Sequence, residues 1–170
     1  MFAAKALAGA LGSDLLEGRQ TGLDYDCSNL AAVNFNSTFN GIETADAILI
    51  VGSHVRWEAP LVNTRIRKAA KRGAKVFILG PEWDPTYPAT FIGNDLSALA
   101  DLPAEVADAL SGAQRPAVIL GGAGLAKGAL GPLLGLVDKF GLVREGWNGF
   151  NVLHMAASRM GGLMLGYAQK

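Results

Sequence analysis

The sequence predicts an α/β domain of three layers with a mostly parallel sheet at its centre. Three observations carry this prediction. Ala47-Ile48-Leu49-Ile50-Val51-Gly52 and Lys75-Val76-Phe77-Ile78-Leu79-Gly80 are short apolar runs that stop at a glycine. One helical pattern, Pro60 to Arg72, lies between them and is closed by Gly73. A third run, Ala117-Val118-Ile119-Leu120-Gly121-Gly122, follows later. The runs are apolar throughout rather than alternating, as expected for strands covered on both faces. Sheets of this kind place ligands outside the carboxyl ends of their strands, where these glycines sit.

Composition sets the outer bounds. The 170 residues suffice for one domain with a sizeable core, and half of them are hydrophobic, which excludes disorder. Fifteen basic residues balance fifteen acidic ones. That balance leaves no electrostatic footprint for nucleic acid or an anionic membrane surface. Cys27 is the single cysteine. It allows no internal disulfide and no thiolate-built zinc or iron–sulfur site, and is expected to be an inert, half-buried thiol. No apolar run approaches the roughly 20 residues that span a bilayer. Met1 to Ala8 lacks the basic region of a signal peptide and reads better as part of an amphipathic helix. The expectation is a soluble chain, or one held to a membrane only through partners.

Taken in order, Phe2 to Leu11 reads as a helix of strong helix formers with Gly12 at its C′ position. Ser13 to Asn36 is polar and turn-rich, so loop with short irregular elements is expected. Thr38 to Thr44 has room for one short helix. Pro60 suits the first position of the next helix, where a missing N–H costs nothing. Val62, Ile66, Ala69 and Ala70 share a face there, while Arg65, Arg67, Lys68, Lys71 and Arg72 fill the other. Most of these cations lie in the last turns, at the end of the sheet away from any ligand crevice. They read as a solvated face that offsets the helix dipole, or as a partner surface. Pro81 to Pro88 is a proline-rich loop. Leu96 to Leu110 carries helical pattern around Pro103. Ala126 to Phe140 reads as one helix stopped by Gly141, with Gly128, Gly131 and Gly135 spaced for close packing. Asn151 to Lys170 reads as a helix broken at Gly161-Gly162.

The loops after the three strands form the coherent site candidate: Gly52, Ser53 and His54, then Gly80 and Glu82, then Gly121. Glycine admits close backbone approach to a phosphate, and the following helix N-terminus favours an anion. Glu82 stands where a carboxylate could accept ribose hydroxyls. Gly-x-Gly alone is weak, and tight strand exits need glycine for turns in any case. His54 could contact a ligand or carry a proton. His154, in an apolar helical context, reads as a structural histidine. No nucleophile, Walker motif, paired carboxylate or metal-ligand spacing is visible, so no catalytic or metal residue is assigned. Trp57, Trp83, Trp147 and Tyr87 read as core lids, or as interface residues where exposed.

The residues Gly52-Ser53-His54-Val55-Arg56-Trp57-Glu58-Ala59-Pro60-Leu61-Val62-Asn63-Thr64-Arg65-Ile66-Arg67-Lys68-Ala69 resemble the segment after a core strand in the large iron–sulfur subunit of NADH:quinone oxidoreductase, respiratory complex I. Asn34-Phe35-Asn36-Ser37-Thr38 and Gly149-Phe150-Asn151-Val152-Leu153-His154-Met155-Ala156-Ala157-Ser158-Arg159-Met160-Gly161-Gly162-Leu163 resemble the same subunit, in the same order. The resemblance implies one excised piece, residues 1–170, of the subunit's C-terminal part, whose fold is the Rossmann-like, molybdopterin oxidoreductase type. It implies iron–sulfur clusters elsewhere in the parent subunit and other peripheral-arm subunits as partners. It also implies a position on the cytoplasmic face of a bacterial inner membrane, or on the mitochondrial matrix side, without direct insertion. Cofactor-bearing relatives often carry Asp-Pro-Arg after the second strand, where this chain has Gly80-Pro81-Glu82. An anion there repels a polyphosphate. The expected function is therefore a structural domain with no cofactor of its own, non-catalytic in isolation, in which the six candidate residues are vestiges of a dinucleotide site. The alternatives are a fragment that binds molybdopterin guanine dinucleotide, as in formate-dehydrogenase-like oxidoreductases, or a generic nucleotide-binding module using Gly52, Glu82 and Gly121.

Overall fold

The computed structural model of the chain describes residues 1–19, 23, 25 and 28–168. Cys27 lies outside the described residues. Helix α1 (Phe2–Ala10) precedes a 3-10 turn, Leu30–Ala32. Then come α2 (Thr38–Ile42), β1 (Ala47–Val51), α3 (Val55–Glu58), α4 (Pro60–Lys71), β2 (Lys75–Leu79) and β3 (Thr90–Gly93). A second 3-10 turn precedes α5 (Ala104–Gly112) and β4 (Pro116–Leu120). The C-terminal part holds α6 (Gly122–Ala126), α7 (Leu130–Leu134), α8 (Leu136–Lys139), the hairpin β5 (Val143–Arg144) and β6 (Trp147–Asn148), β7 (Phe150–Val152) and α9 (Arg159–Met164).

Five strands form one parallel sheet in the order β3-β2-β1-β4-β7. The fold class is therefore the one the apolar runs predict. Successive strand residues feed opposite faces, as the two-residue period of a strand requires. Leu49, Val51, Phe77, Leu79, Val118 and Leu120 pack on one side against Val106 and Leu110 of α5 and Leu133 of α7. Ile48, Ile50, Val76, Ile78 and Ile119 pack on the other against Ile42 and against Val62, Ile66 and Ala69 of α4. Each such fully buried aliphatic side chain contributes roughly 1.5–3 kcal/mol relative to exposure.

Helix α4 begins at Pro60, as its φ-restricted ring favours, and ends where Gly73 turns with a φ of +99°. Three of its five cations are paired rather than merely solvated. Arg65 Nη1 lies 2.6 Å and Lys68 Nζ 3.5 Å from Glu43 Oε2, and Arg72 Nη2 lies 2.8 Å from Glu43 Oε1. The counter-charge comes from the end of α2, an element that the helix's own sequence does not contain.

Three expectations fail. The single helix over 126–140 is instead the last residue of α6 and two short helices, α7 and α8, with Gly128 at a φ of +76° separating α6 from α7. Gly128 and Gly131 face open space, so they are not close-packing glycines, and Gly135 meets only the Pro132 carbonyl oxygen of its own segment. The tail is not helical from Asn151. Phe150–Val152 pairs with β4, and the helix that follows runs through Gly161 and Gly162 rather than breaking there. His154 consequently lies in the loop after β7, not in a helix. The central Asn151 is fully buried, yet its side chain has partners throughout: Nδ2 donates to Ser37 Oγ and to the carbonyls of Val118 and Gly149, and Oδ1 accepts from Ser37 N. That network ties the chain ahead of α2 to the sheet, so a polar residue can occupy a core strand.

Candidate functional site

Strand order reverses between β1 and β4, since β2 and β3 extend to one side and β7 to the other. Open parallel sheets bind ligands at the carboxyl end of such a switch point. Gly52, Ser53, His54, Gly121 and Gly122 meet there, and Gly80 adjoins them.

The glycines are needed, but for contact between the two loops. Gly52 has a φ of +54°, and a Cβ on it would lie 2.3 Å from Gly124 N. A Cβ on Gly121 would lie 2.3 Å from Ser53 Cβ. A Cβ on Gly80 would come within 3.4 Å of Gly52 N and Cα. Gly121 N donates to Val51 O at 2.9 Å, Gly124 N to Gly52 O at 3.1 Å and Gly52 N to Leu79 O at 2.8 Å. The three strand exits are thus laced together by backbone hydrogen bonds.

The side chain at the centre of this junction is Glu58, from the end of α3. Its Oε1 accepts from His54 N at 2.9 Å and its Oε2 from Gly122 N at 3.3 Å. A carboxylate of the chain itself therefore takes the N–H groups after β1 and β4 that a bound anion would use. The sequence places Glu58 on the first loop, but only the turn of α3 brings it back over the strand ends. Glu82 is exposed and apart from this carboxylate pairing. The His54 ring stacks on Trp83 with centroids 4.6 Å apart, and Trp57 meets its edge at 5.8 Å. Trp83 and Tyr87 are buried lids, whereas Trp57 is 81% exposed. Ser53 Oγ, His54 Nδ1 and Trp83 Nε1 are buried without hydrogen-bond partners among the described residues. Two cavities of about 440 and 590 Å³ open beside the carboxyl ends of β4 and β7, and none of the six candidate residues lines either.

Among the described residues there is no group of three or more histidine, cysteine, aspartate or glutamate side chains placed to hold a metal ion. No described helix is long and apolar enough to cross a membrane.

Comparison with known proteins decides the family. The molybdopterin oxidoreductase family model matches residues 1–170. The chain belongs to the molybdopterin oxidoreductase family. Within that family it is homologous to the large iron–sulfur subunit of complex I. It is 35% identical over 175 residues to an NADH-quinone oxidoreductase subunit of Rickettsia typhi, covering 98% of the chain and 26% of that protein. It is 38% identical over 140 residues to the mitochondrial NADH-ubiquinone oxidoreductase 78 kDa subunit of Candida albicans, covering 78% of the chain and 19% of that protein. A mitochondrial NADH dehydrogenase [ubiquinone] iron-sulfur protein 1 of Solanum tuberosum is 32% identical over 98% of the chain and 24% of its own length. The chain spans about a quarter of the length of the curated relatives that it matches end to end. The largely parallel sheet is that expected of this family, and the resemblance to the complex I subunit is upheld.

Proposed function

We propose that this molybdopterin oxidoreductase family chain is a structural domain of the large peripheral-arm subunit of NADH:quinone oxidoreductase and holds no redox cofactor of its own. In this reading residues 1–170 are one α/β domain of a longer subunit. Electrons from NADH pass to quinone through iron–sulfur clusters outside the domain. The domain supports that path mechanically and contacts other peripheral-arm subunits, at the cytoplasmic face of a bacterial inner membrane or its mitochondrial counterpart. By itself it is not a catalyst.

The observation that carries the cofactor-free reading is the Glu58 carboxylate bonded to His54 N and Gly122 N. A dinucleotide cofactor brings phosphates to the strand exits and needs free backbone N–H donors there. Here the donors face a fixed negative charge, and the Gly52 and Gly121 loops are in direct backbone contact. The residues present do not fit a phosphate at the switch point, so we derive no chemical step through such a cofactor. Both alternative readings, a molybdopterin guanine dinucleotide fragment and a generic nucleotide module, need those same donors. Homology to complex I subunits supports the assignment of the parent complex.

Elemental analysis of the purified chain tests the reading. Iron and molybdenum are expected at far below one atom per chain, and a stoichiometric content of either would refute it.

A further inference from the structure

Beside the switch point, on the β7 side of α6, lies a feature that the structural role does not use. Arg159, the first residue of α9, is 8% exposed. Its Nη1 is buried and has no hydrogen-bond partner among the described residues. No described carboxylate lies within ion-pair distance of it. Its guanidinium carbon lies 6.0 Å from the centre of the Tyr25 ring, a contact that offers a π-face but no counter-charge. A buried guanidinium left in this state is costly, and native proteins neutralise such groups with an anion.

We propose that Arg159 anchors the anionic group, a carboxylate or phosphoryl group, of a small ligand with an apolar body in the cavity between α6 and the segment after β7. That cavity has a volume of about 440 Å³, within the usual range for small-molecule sites. Leu125, Ala126 and Leu153 supply an apolar wall, and Tyr25, His154 and Arg159 supply the polar groups. Few polar groups converging on an otherwise apolar cavity fix a ligand by one charged end and bury the rest. His154 does not supply a negative charge, and its Nε2 is committed as a donor to the Val33 carbonyl oxygen. Burial, reinforced by the nearby Arg159 charge, holds its pKa below the ordinary histidine value, against the Val33 hydrogen bond. The His154 ring is thus neutral at pH 7 and leaves the guanidinium as the local charge to be matched. Arg19 adds positive potential on the Tyr25 side, although Glu17 pairs with it at 2.6 Å. No loop after β1 or β2 contributes to this cavity, so the site is separate from the junction held by Glu58.

The test is calorimetric titration of the full 170-residue chain with hexanoate and with hexyl phosphate, and with hexanol as the neutral control. At least one anion is expected to bind tenfold or more tightly than hexanol, and the stronger of the two names the anionic class. Arg159→Gln should reduce the anion to the level of hexanol, and Arg159→Lys should restore part of the difference. Should the glutamine variant not fold, the His154 ring resonances of the unaltered chain give a second readout. They should shift with the anion and stay in place with hexanol. Equal binding of anion and alcohol, or unchanged anion binding in a folded Arg159→Gln protein, would overturn the proposal. So would an absence of binding.

Discussion

A methyl group at position 121 would sit 2.3 Å from Ser53 Cβ, and one at position 52 would sit 2.3 Å from Gly124 N. Neither neighbour is the free end of a flexible side chain, so relief needs backbone movement. Gly121→Ala and Gly52→Ala are each expected to destabilise the fold by roughly 3 kcal/mol or more, read from denaturant unfolding midpoints. Gly9 is the internal contrast: it lies within α1 and faces open space. Gly9→Ala should stabilise by about 0.5–1 kcal/mol, because the helix loses the entropic burden of glycine. The sequence shows all of these glycines alike. A regular spacing suggests packing at Gly128, Gly131 and Gly135, yet the close approaches occur at the strand exits. Tyr87 supplies a further residue-scale case. Its hydroxyl donates to Asn63 Oδ1 at 2.8 Å in the core, and burial pushes its pKa upward. Tyr87→Phe leaves the Asn63 oxygen buried without that donor and should cost about 1–2 kcal/mol in the same unfolding measurement.

At the scale of elements, α4 was legible because every local signal agrees: proline at its start, apolar residues at helical spacing and glycine at its stop. Its charge partner was not legible, since Glu43 belongs to the end of α2 and is brought in by packing. The Arg65 hydrogen bond, aided by Lys68 and Arg72, holds the Glu43 carboxyl below the usual carboxylate range. A carboxyl with a depressed pKa in the folded state contributes stability above its unfolded value of about 4.3. The contribution is lost as pH falls through the folded value. Glu43→Gln should therefore lower the melting temperature at pH 7, with the deficit closing below about pH 4. A deficit that persists unchanged into acid would mean that the glutamate acts through packing rather than charge. The short elements escaped the sequence for a related reason. Phe150–Val152 has three residues with asparagine at the centre, and its strand identity depends on β4 beside it and Ser37 above it. Thr90–Gly93 is a half-exposed edge strand, and β5–β6 is a hairpin of two-residue strands turned at Gly146. None of these is long enough to display a period.

For the whole molecule, the parallel sheet and the location of its switch point follow from three apolar runs and their glycines, because both faces of each strand are buried and tight exits are obligatory. The state of the switch point does not follow from that pattern. Gly80-Pro81-Glu82 draws attention to Glu82 as the anion at the site, whereas Glu82 is exposed and Glu58 meets the backbone donors. A sequence pattern can locate strand ends, but the return of a side chain across one turn of α3 is a tertiary event. The most direct measurement of the account is a calorimetric titration of the chain with guanosine diphosphate, with NAD as a second ligand. We predict no binding of either tighter than roughly millimolar, the weak end of the affinity scale. Micromolar affinity for either nucleotide would contradict the account, because the strand exits would then be open to a phosphate despite the Glu58 carboxylate.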